Sequence, residues 1–269
     1  MKKIISVILA ALVAVSVFAG CNGTTSKDES LKKIKDKGAF VLGLDDSFPP
    51  MGYRDDNNEI VGFDIDCAKE VCTRLGVELK LQPISWDAKE QELNSGNIDC
   101  IWNGMSVNEE RQKVMNLSEP YMKNRMVLVV LGSSGYKSQA DLSGKKIGVQ
   151  TGSTAQEILE ASDFFKNIGS DNEISFKDNV TAFMDLEAKG CDAVFLDEVV
   201  ANSFINEQKK DYVVLDDGAL EEEDYAIGFR KNDQTLRDEV QKTLSEMKKD
   251  GTLAKISTKW FGKDVTTVK

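Results

Sequence analysis

Short apolar runs alternate with amphipathic stretches along most of the chain. The run 40–44 (FVLGL) closes on Asp45-Asp46-Ser47-Phe48-Pro49-Pro50, which predicts a strand entering a breaker-rich loop. From Asp64, a residue suited to capping, apolar Ile65, Ala68, Val71, Cys72 and Leu75 recur at helical spacing until Gly76 stops them. Residues 77–81 alternate as a strand, 89–93 read as a helix, and 96–102 as the next strand. The order then restarts. A strand over 145–149 runs into Gln150-Thr151-Gly152-Ser153-Thr154 and a helix bearing Ile158 and Leu159. A later helix with Ala182, Phe183 and Leu186 on one face stops at Gly190 before the apolar strand 191–196, and a helix over 199–205 comes after it. A leucine, a glycine, an aspartate and an apolar strand follow one another twice, around 93–101 and 186–194. Near the C-terminus, Leu236, Val240, Leu244 and Met247 make one helical face, and Leu253, Ile256, Trp260 and Phe261 a second.

Strands alternating with helices in two similar halves predict an α/β protein with mostly parallel sheets. Ligand sites in such sheets lie beyond the C-terminal strand ends. Here those ends are 45–50, 103–111, 150–154 and Asp197, all polar or conformationally special.

Composition narrows the chemistry. The 269 residues include no histidine, which removes Ser-His-Asp and Cys-His nucleophile systems and imidazole metal sites. The 45 acids exceed the 34 bases by 11, so the surface repels phosphate backbones and nucleic acid is not an expected partner.

The N-terminus reads as a leader, not as part of the fold. Met1-Lys2-Lys3 precedes an apolar stretch over 4–18 and the small pair Ala19-Gly20, as in a secretory signal over 1–20. Cys21 follows at once and resembles the lipidated cysteine of a bacterial lipobox, although Phe18 stands where leucine is usual. Polar residues to about 35 then serve as a tether. Removing Lys2 and Lys3 takes the net charge from −11 to −13. No second hydrophobic segment follows, so lipid alone would hold the chain to a membrane. Of the remaining cysteines, Cys67 and Cys72 sit five apart on one helix, where a bridge is strained, and Cys100 and Cys191 lie in strand-like runs. Buried, reduced thiols are the expectation.

The strand ends carry the elements of a zwitterion site. Arg111 can grip a carboxylate with two parallel hydrogen bonds. Gly152-Ser153-Thr154 opens a helix, whose free N–H groups and hydroxyls favour an anion. Asp197 can accept an ammonium group, and Phe48 and Phe63 can sandwich a side chain. Each has a plainer role as well: Arg111 as part of a solvated helix face, Ser153 as an N-cap, Asp197 as a cap for the next helix, and the phenylalanines as core.

The motifs LGLDDSFPPMGYRD at 42–55, IVGFDIDCAKEVCTRLG at 60–76 and LNSGNIDCIWNGMSVNEERQKVMNLSEPYM at 93–122 occur in order. LSGKKIGVQTGSTAQE at 142–157, GCDAVFLDEVVA at 190–201 and MKKDGTLAKISTKWFG at 247–262 complete the set. From about 31 to 263 the chain resembles the extracellular solute-binding proteins, family 3, which deliver polar amino acids to ABC importers. The resemblance implies a two-lobed periplasmic-binding-protein-like fold of type II, with lobe 1 over 36–124 and 225–269, lobe 2 over 125–224, and hinges near 123–127 and 221–225. It implies Arg111 as the carboxylate clamp and Asp197 as the ammonium acceptor. Ser153 and Thr154 fall where the second lobe meets the carboxylate, and Asn103, Gly104 and Ser106 where the first lobe binds amine and carboxylate. Phe48 and Phe63 match the aromatic pair, and Asp45 and Gln150 the reader of the side chain. No catalytic residue, metal or cofactor is implied. The expected ligand is a free polar amino acid, glutamine-like or basic first, captured by a lipid-anchored monomer on the outer face of the cytoplasmic membrane, or in the periplasm of a cell with an outer membrane. The expected protein partners are the subunits of an ABC permease. Presentation of the ligand to a separate sensor, or dehydratase chemistry on the same scaffold, are the alternatives.

Overall fold

The computed structural model describes residues 28–208, 210–217 and 221–269. The leader, Cys21 and the expected tether as far as residue 27 lie outside the described residues; from Ser30 the expected tether is instead a helix that buries Ser30 and Ile34.

A helix, α1 (Ser30–Lys37), leads into β1 (Ala39–Leu44). A three-stranded ribbon, β2 (Ser47–Phe48), β3 (Gly52–Arg54) and β4 (Ile60–Val61), precedes α2 (Phe63–Leu75). Then come β5 (Glu78–Pro83), a single 3-10 turn over Trp86–Ala88, α3 (Lys89–Ser95), β6 (Cys100–Ser106), α4 (Glu109–Val114) and β7 (Met115–Leu117). The long strand β8 (Met122–Leu131) leaves this first half. The second half holds β9 (Ile147–Gln150), α5 (Thr154–Ala161), α6 (Asp163–Ile168) and β10 (Glu173–Phe176). It continues through α7 (Asn179–Glu187), β11 (Ala193–Asp197), α8 (Glu198–Gln208) and β12 (Tyr212–Val214). A second long strand, β13 (Glu221–Arg230), returns the chain, and α9 (Gln234–Lys249) and α10 (Thr252–Phe261) finish it.

The main strands form one sheet in the order β10-β9-β11-β8-β13-β6-β1-β5, with β12 on β8 and β7 on β13. Each half is parallel inside: β1 pairs with β5 and β6, and β9 with β10 and β11. Between the halves, β8 and β13 run antiparallel, with Met126 opposite Glu221 and Met122 opposite Tyr225. These two strands are the described chain crossings from one half to the other. Their outer neighbours deliver the strand ends: Ser106 of β6 stands opposite Tyr225, and Asp197 of β11 opposite Met126. The two repeated segments of the sequence thus end side by side, one on each side of the crossing.

The strands form where the apolar runs lie. Every residue of β6 and of β11 is buried, as strands covered on both faces must be. Helix α9 buries Leu236, Val240, Thr243, Leu244 and Met247, a single stripe at helical spacing, and packs on α1, α2 and α10. At about 25 cal/mol per Å² of apolar surface, such a stripe contributes several kcal/mol to the first half.

Two element starts differ from the sequence reading in more than a shift of one or two residues. The strand expected over 96–102 begins only at Cys100, because Gly96 ends α3 in the left-handed conformation and Ile98 and Asp99 are spent on the turn. Asp64 does not cap α2. The cap position is Gly62, and Asp64, in the first turn, is wholly buried. Cys67, Cys72, Cys100 and Cys191 are free and buried, and burial pushes the Cys72 and Cys191 thiols up to about 12. Among the described residues no helix is long and apolar enough to cross a membrane, and no cluster of acids and cysteines could hold a metal ion.

Candidate functional site

A small cavity lies between the halves at the strand ends. It is lined by Phe48, Trp86, Asn103, Gly104, Ser106, Arg111, Met126, Gln150, Ser153, Thr154 and Asp197.

The first half supplies the cation. Asn108 caps α4 through the backbone N–H of Arg111, and this turn swings the guanidinium back over the end of β6. There Arg111 Nη1 donates to the Ser106 carbonyl at 2.8 Å, while Nη2 is buried with no partner. Burial depresses the Arg111 pKa despite the negative charges of Glu157, Glu223 and Asp197 around it. It is therefore not on a solvated helix face. A buried guanidinium keeps its charge, so an anion between it and the opposite half is the favourable occupant.

The second half faces it with a helix start. Ser153 caps α5, accepting from the Gln156 N–H at 3.1 Å and donating to the Gln150 carbonyl at 2.8 Å. Thr154 Oγ1 is buried without a partner. Asp197 ends β11 and accepts from Asn124 Nδ2 at 2.8 Å and from the Tyr225 hydroxyl. Burial pushes its carboxyl up, with Arg111 holding it down only in part.

At the far end, Gln150 Nε2 reaches across to Asp45 Oδ2 at 2.7 Å and to the Lys177 carbonyl at 3.2 Å. Asp45 does not itself line the cavity; it stands behind Gln150, and burial raises its pKa, with Asp178 adding repulsion. Asn103 is divided. Its Oδ1 accepts from the Asp45 backbone N–H at 2.9 Å, and its buried Nδ2 has no partner. Gly104 is held by its N–H, which donates to Asp64 Oδ2 at 2.8 Å and to the Tyr121 hydroxyl at 3.2 Å.

Phe63 is a correction. It is fully buried between Tyr121 and Phe261, with ring centroids at 6.3 and 5.2 Å, and is absent from the lining. The first residue of a helix docked on the sheet points into the core, and α10 closes over it. Trp86 supplies the second aromatic wall instead. It follows the C-terminal end of β5, a fifth strand end whose position carries the same signal as the other four. Lys89 also escaped the sequence reading. It is buried, donates to the Gly152 carbonyl at 2.9 Å, and stacks over Trp86 at 5.2 Å. Burial, with Arg111 nearby, brings its pKa down to about 8.

The halves are closed on one another. Besides the bonds of Lys89 and Gln150, Asn108 Nδ2 donates to Glu157 Oε2 at 2.7 Å. Gly152, at φ +69°, lies so close to the facing turn that a Cβ would stand 3.0 Å from the Asp87 Cα. The contact exists only when the halves meet. Gly152→Ala should therefore weaken ligand affinity by about threefold or more, because the left-handed backbone strains both forms while the Asp87 contact burdens only the closed one. Isothermal titration calorimetry checks this, and unchanged affinity would refute the contact's part in closure.

Residues 40–263 match the profile of the bacterial extracellular solute-binding proteins, family 3. The chain is 32% identical to the L-cystine-binding protein TcyJ of Escherichia coli, with 96% of each covered. It is 30% identical to the arginine-binding extracellular protein ArtP of Bacillus subtilis, over 97% of this chain and 98% of that one. Among solved structures it is similar to an ABC uptake transporter substrate-binding protein from Streptococcus pneumoniae with bound histidine. That likeness has a TM-score of 0.86 and 37% identity, and covers 90% of this chain and 100% of that one.

Proposed function

The chain belongs to the bacterial extracellular solute-binding proteins, family 3, and from that premise we propose that it captures a free polar L-amino acid by closure of its two lobes and hands it to an ABC permease. One observation carries the reading. A buried guanidinium with an uncommitted Nη2 shares a cavity with a buried carboxylate on the opposite lobe. Arg111 and Asp197 thus offer opposite fixed charges to the two ends of a zwitterion, and neither end is satisfied unless both lobes are in place.

In this reading the ligand carboxylate sits against Arg111, Ser153 and Thr154, with Ser106, Asn103 and Gly104 beside the amine and carboxylate. Phe48 and Trp86 wall the side chain. Gln150, backed by Asp45, reads its tip, and a buried acid with no basic side chain on it favours a glutamine-like or basic group. The lobes are 36–124 with 225–269, and 125–224, hinged where β8 and β13 pair. The protein binds and does not turn its ligand over. A lipid on Cys21 would hold it outside the cytoplasmic membrane.

A thermal-shift screen of the twenty amino acids and cystine tests this. At a hundredfold excess over Kd, a ligand adds about 2.7 kcal/mol, which raises the Tm of a protein this size by roughly 5–10 °C. A polar amino acid should give that shift. If none does, the assignment fails.

A further inference from the structure

Asp197 has a second acid beside it that the zwitterion scheme does not use. Glu223 lies on β13 directly opposite Asn124 on β8. Asn124 Nδ2 stands 2.8 Å from Asp197 Oδ1 and 2.8 Å from Glu223 Oε1, so one amide ties both carboxyls. Glu223 Oε1 also accepts from Ser106 Oγ at 2.7 Å, and Ser106 lines the cavity. Glu223 Oε2 is buried with no partner.

The charges around this pair do not balance. From α4, Arg111 is the cation that faces both carboxyls, and its Nη1 is spent on the Ser106 carbonyl. From β8, Lys123 and Arg125 flank Asn124 but are exposed and paired with Asp224 and Glu198. Lys89 of α3 lies beyond Arg111, bound to the Gly152 carbonyl. Glu157 of α5 and Glu90 of α3 add negative charge around Arg111. On β13 itself, Tyr225 donates to Asp197, and Glu222 is exposed. A buried acid, Asp197, and a half-buried one, Glu223, whose Oε2 is shut off from solvent, therefore face one buried guanidinium. In a low-dielectric site such a pair ionises in two steps and keeps one proton well above the ordinary carboxylate range.

We propose that Glu223 is a second acid of the ammonium site, and that an arriving α-ammonium expels to solvent one proton that Asp197 and Glu223 share in the empty protein. The inference rests on reading the cavity as an amino-acid site. The ammonium supplies the missing positive charge, so both carboxyls are ionised in the complex. Burial raises both carboxyls in this closed form without ligand, and for Glu223 the charge of Asp197 raises it further. The sign follows: a group that loses its proton on binding makes affinity rise with pH, and each proton released adds up to a factor of ten per pH unit. The window runs from pH of about 6 to about 8, where burial can place a carboxylic acid.

Calorimetry in buffers of differing ionisation enthalpy counts the protons. The probes are L-arginine, L-glutamine and L-cystine, taking whichever binds; histidine is set aside because its imidazole titrates in the same window. The wild-type protein should release close to one proton per ligand near neutral pH, with affinity rising across the window. Glu223→Gln should fold, still bind, release almost none and give a flat profile. Release that persists in Glu223→Gln would put the proton on another buried acid, such as Asp64, and overturn the proposal. Wild-type binding without release overturns it as well, yet leaves the binding function standing. Failure of every amino acid to bind overturns that function, and this inference with it.

Discussion

Arg111→Ala should remove most amino-acid binding, while the empty protein should melt within a few degrees of wild type. The ligand carboxylate, drawn out of water, would then meet only Ser153, Thr154 and neutral backbone. Removing one partner of a buried, hydrogen-bonded charge pair costs about 2–5 kcal/mol, or roughly 30- to several-thousand-fold in affinity. Stability should hardly suffer. In the empty protein Arg111 contributes one hydrogen bond to the Ser106 carbonyl and carries the desolvation cost of an unpaired Nη2. Arg111→Lys keeps the charge but not the two-pronged geometry, and should recover only part of the loss. Calorimetry beside thermal melts separates the two readouts. An alanine variant that binds within threefold of wild type would remove Arg111 from the site.

Gly62→Ala should do the reverse, wrecking stability at a residue outside the cavity lining. Gly62 has φ +147°, and a Cβ there would stand 2.1 Å from the Met51 carbonyl oxygen and 2.8 Å from the Gly52 nitrogen. Both obstacles are backbone and cannot rotate away. The close approach lets the Phe63 and Asp64 N–H groups donate to the Pro50 and Met51 carbonyls, which fixes the ribbon carrying Phe48 to the start of α2. Losing it should cost more than about 4 kcal/mol and lower Tm by roughly 10 °C or more. Gly76→Ala is the control. Gly76 has φ +72° but nothing within 4 Å of a Cβ, so the change should cost only about 1–2 kcal/mol. Equal melting points for the two variants would refute the argument.

The polar strand ends were legible because a charged or hydroxyl residue directly after a buried strand has few other reasons to be there. That places Arg111, Ser153, Thr154, Gln150 and Asp197 around the cavity, with Asp45 one residue behind. Phe63 was misread because an aromatic after a glycine at a helix start looks the same whether it walls a ligand or a core. Only Tyr121 and Phe261, far along the chain, decide it. Asp64 was misread for a similar reason: near a helix start, capping and deep burial leave one pattern. Glu223 hides in the acidic run 221–224, which reads as a solvated face. Strand alternation turns one of its four acids inward beside Asn124, and pairing register is not written in composition.

The order of the strands constrains how the protein is made. β13 lies between β6 and β8, yet it is synthesised more than a hundred residues after β6 and ninety after β8. Until residues 221–230 leave the ribosome, β6 has an open edge on that side, and α9 and α10, which cover α2, do not yet exist. Contacts of such sequence separation form late, because loop-closure entropy must be met before they stabilise anything. A growing chain of this design cannot complete its first half early. That half therefore lacks its central pairing strand and its covering helices until the last fifth of the chain is made.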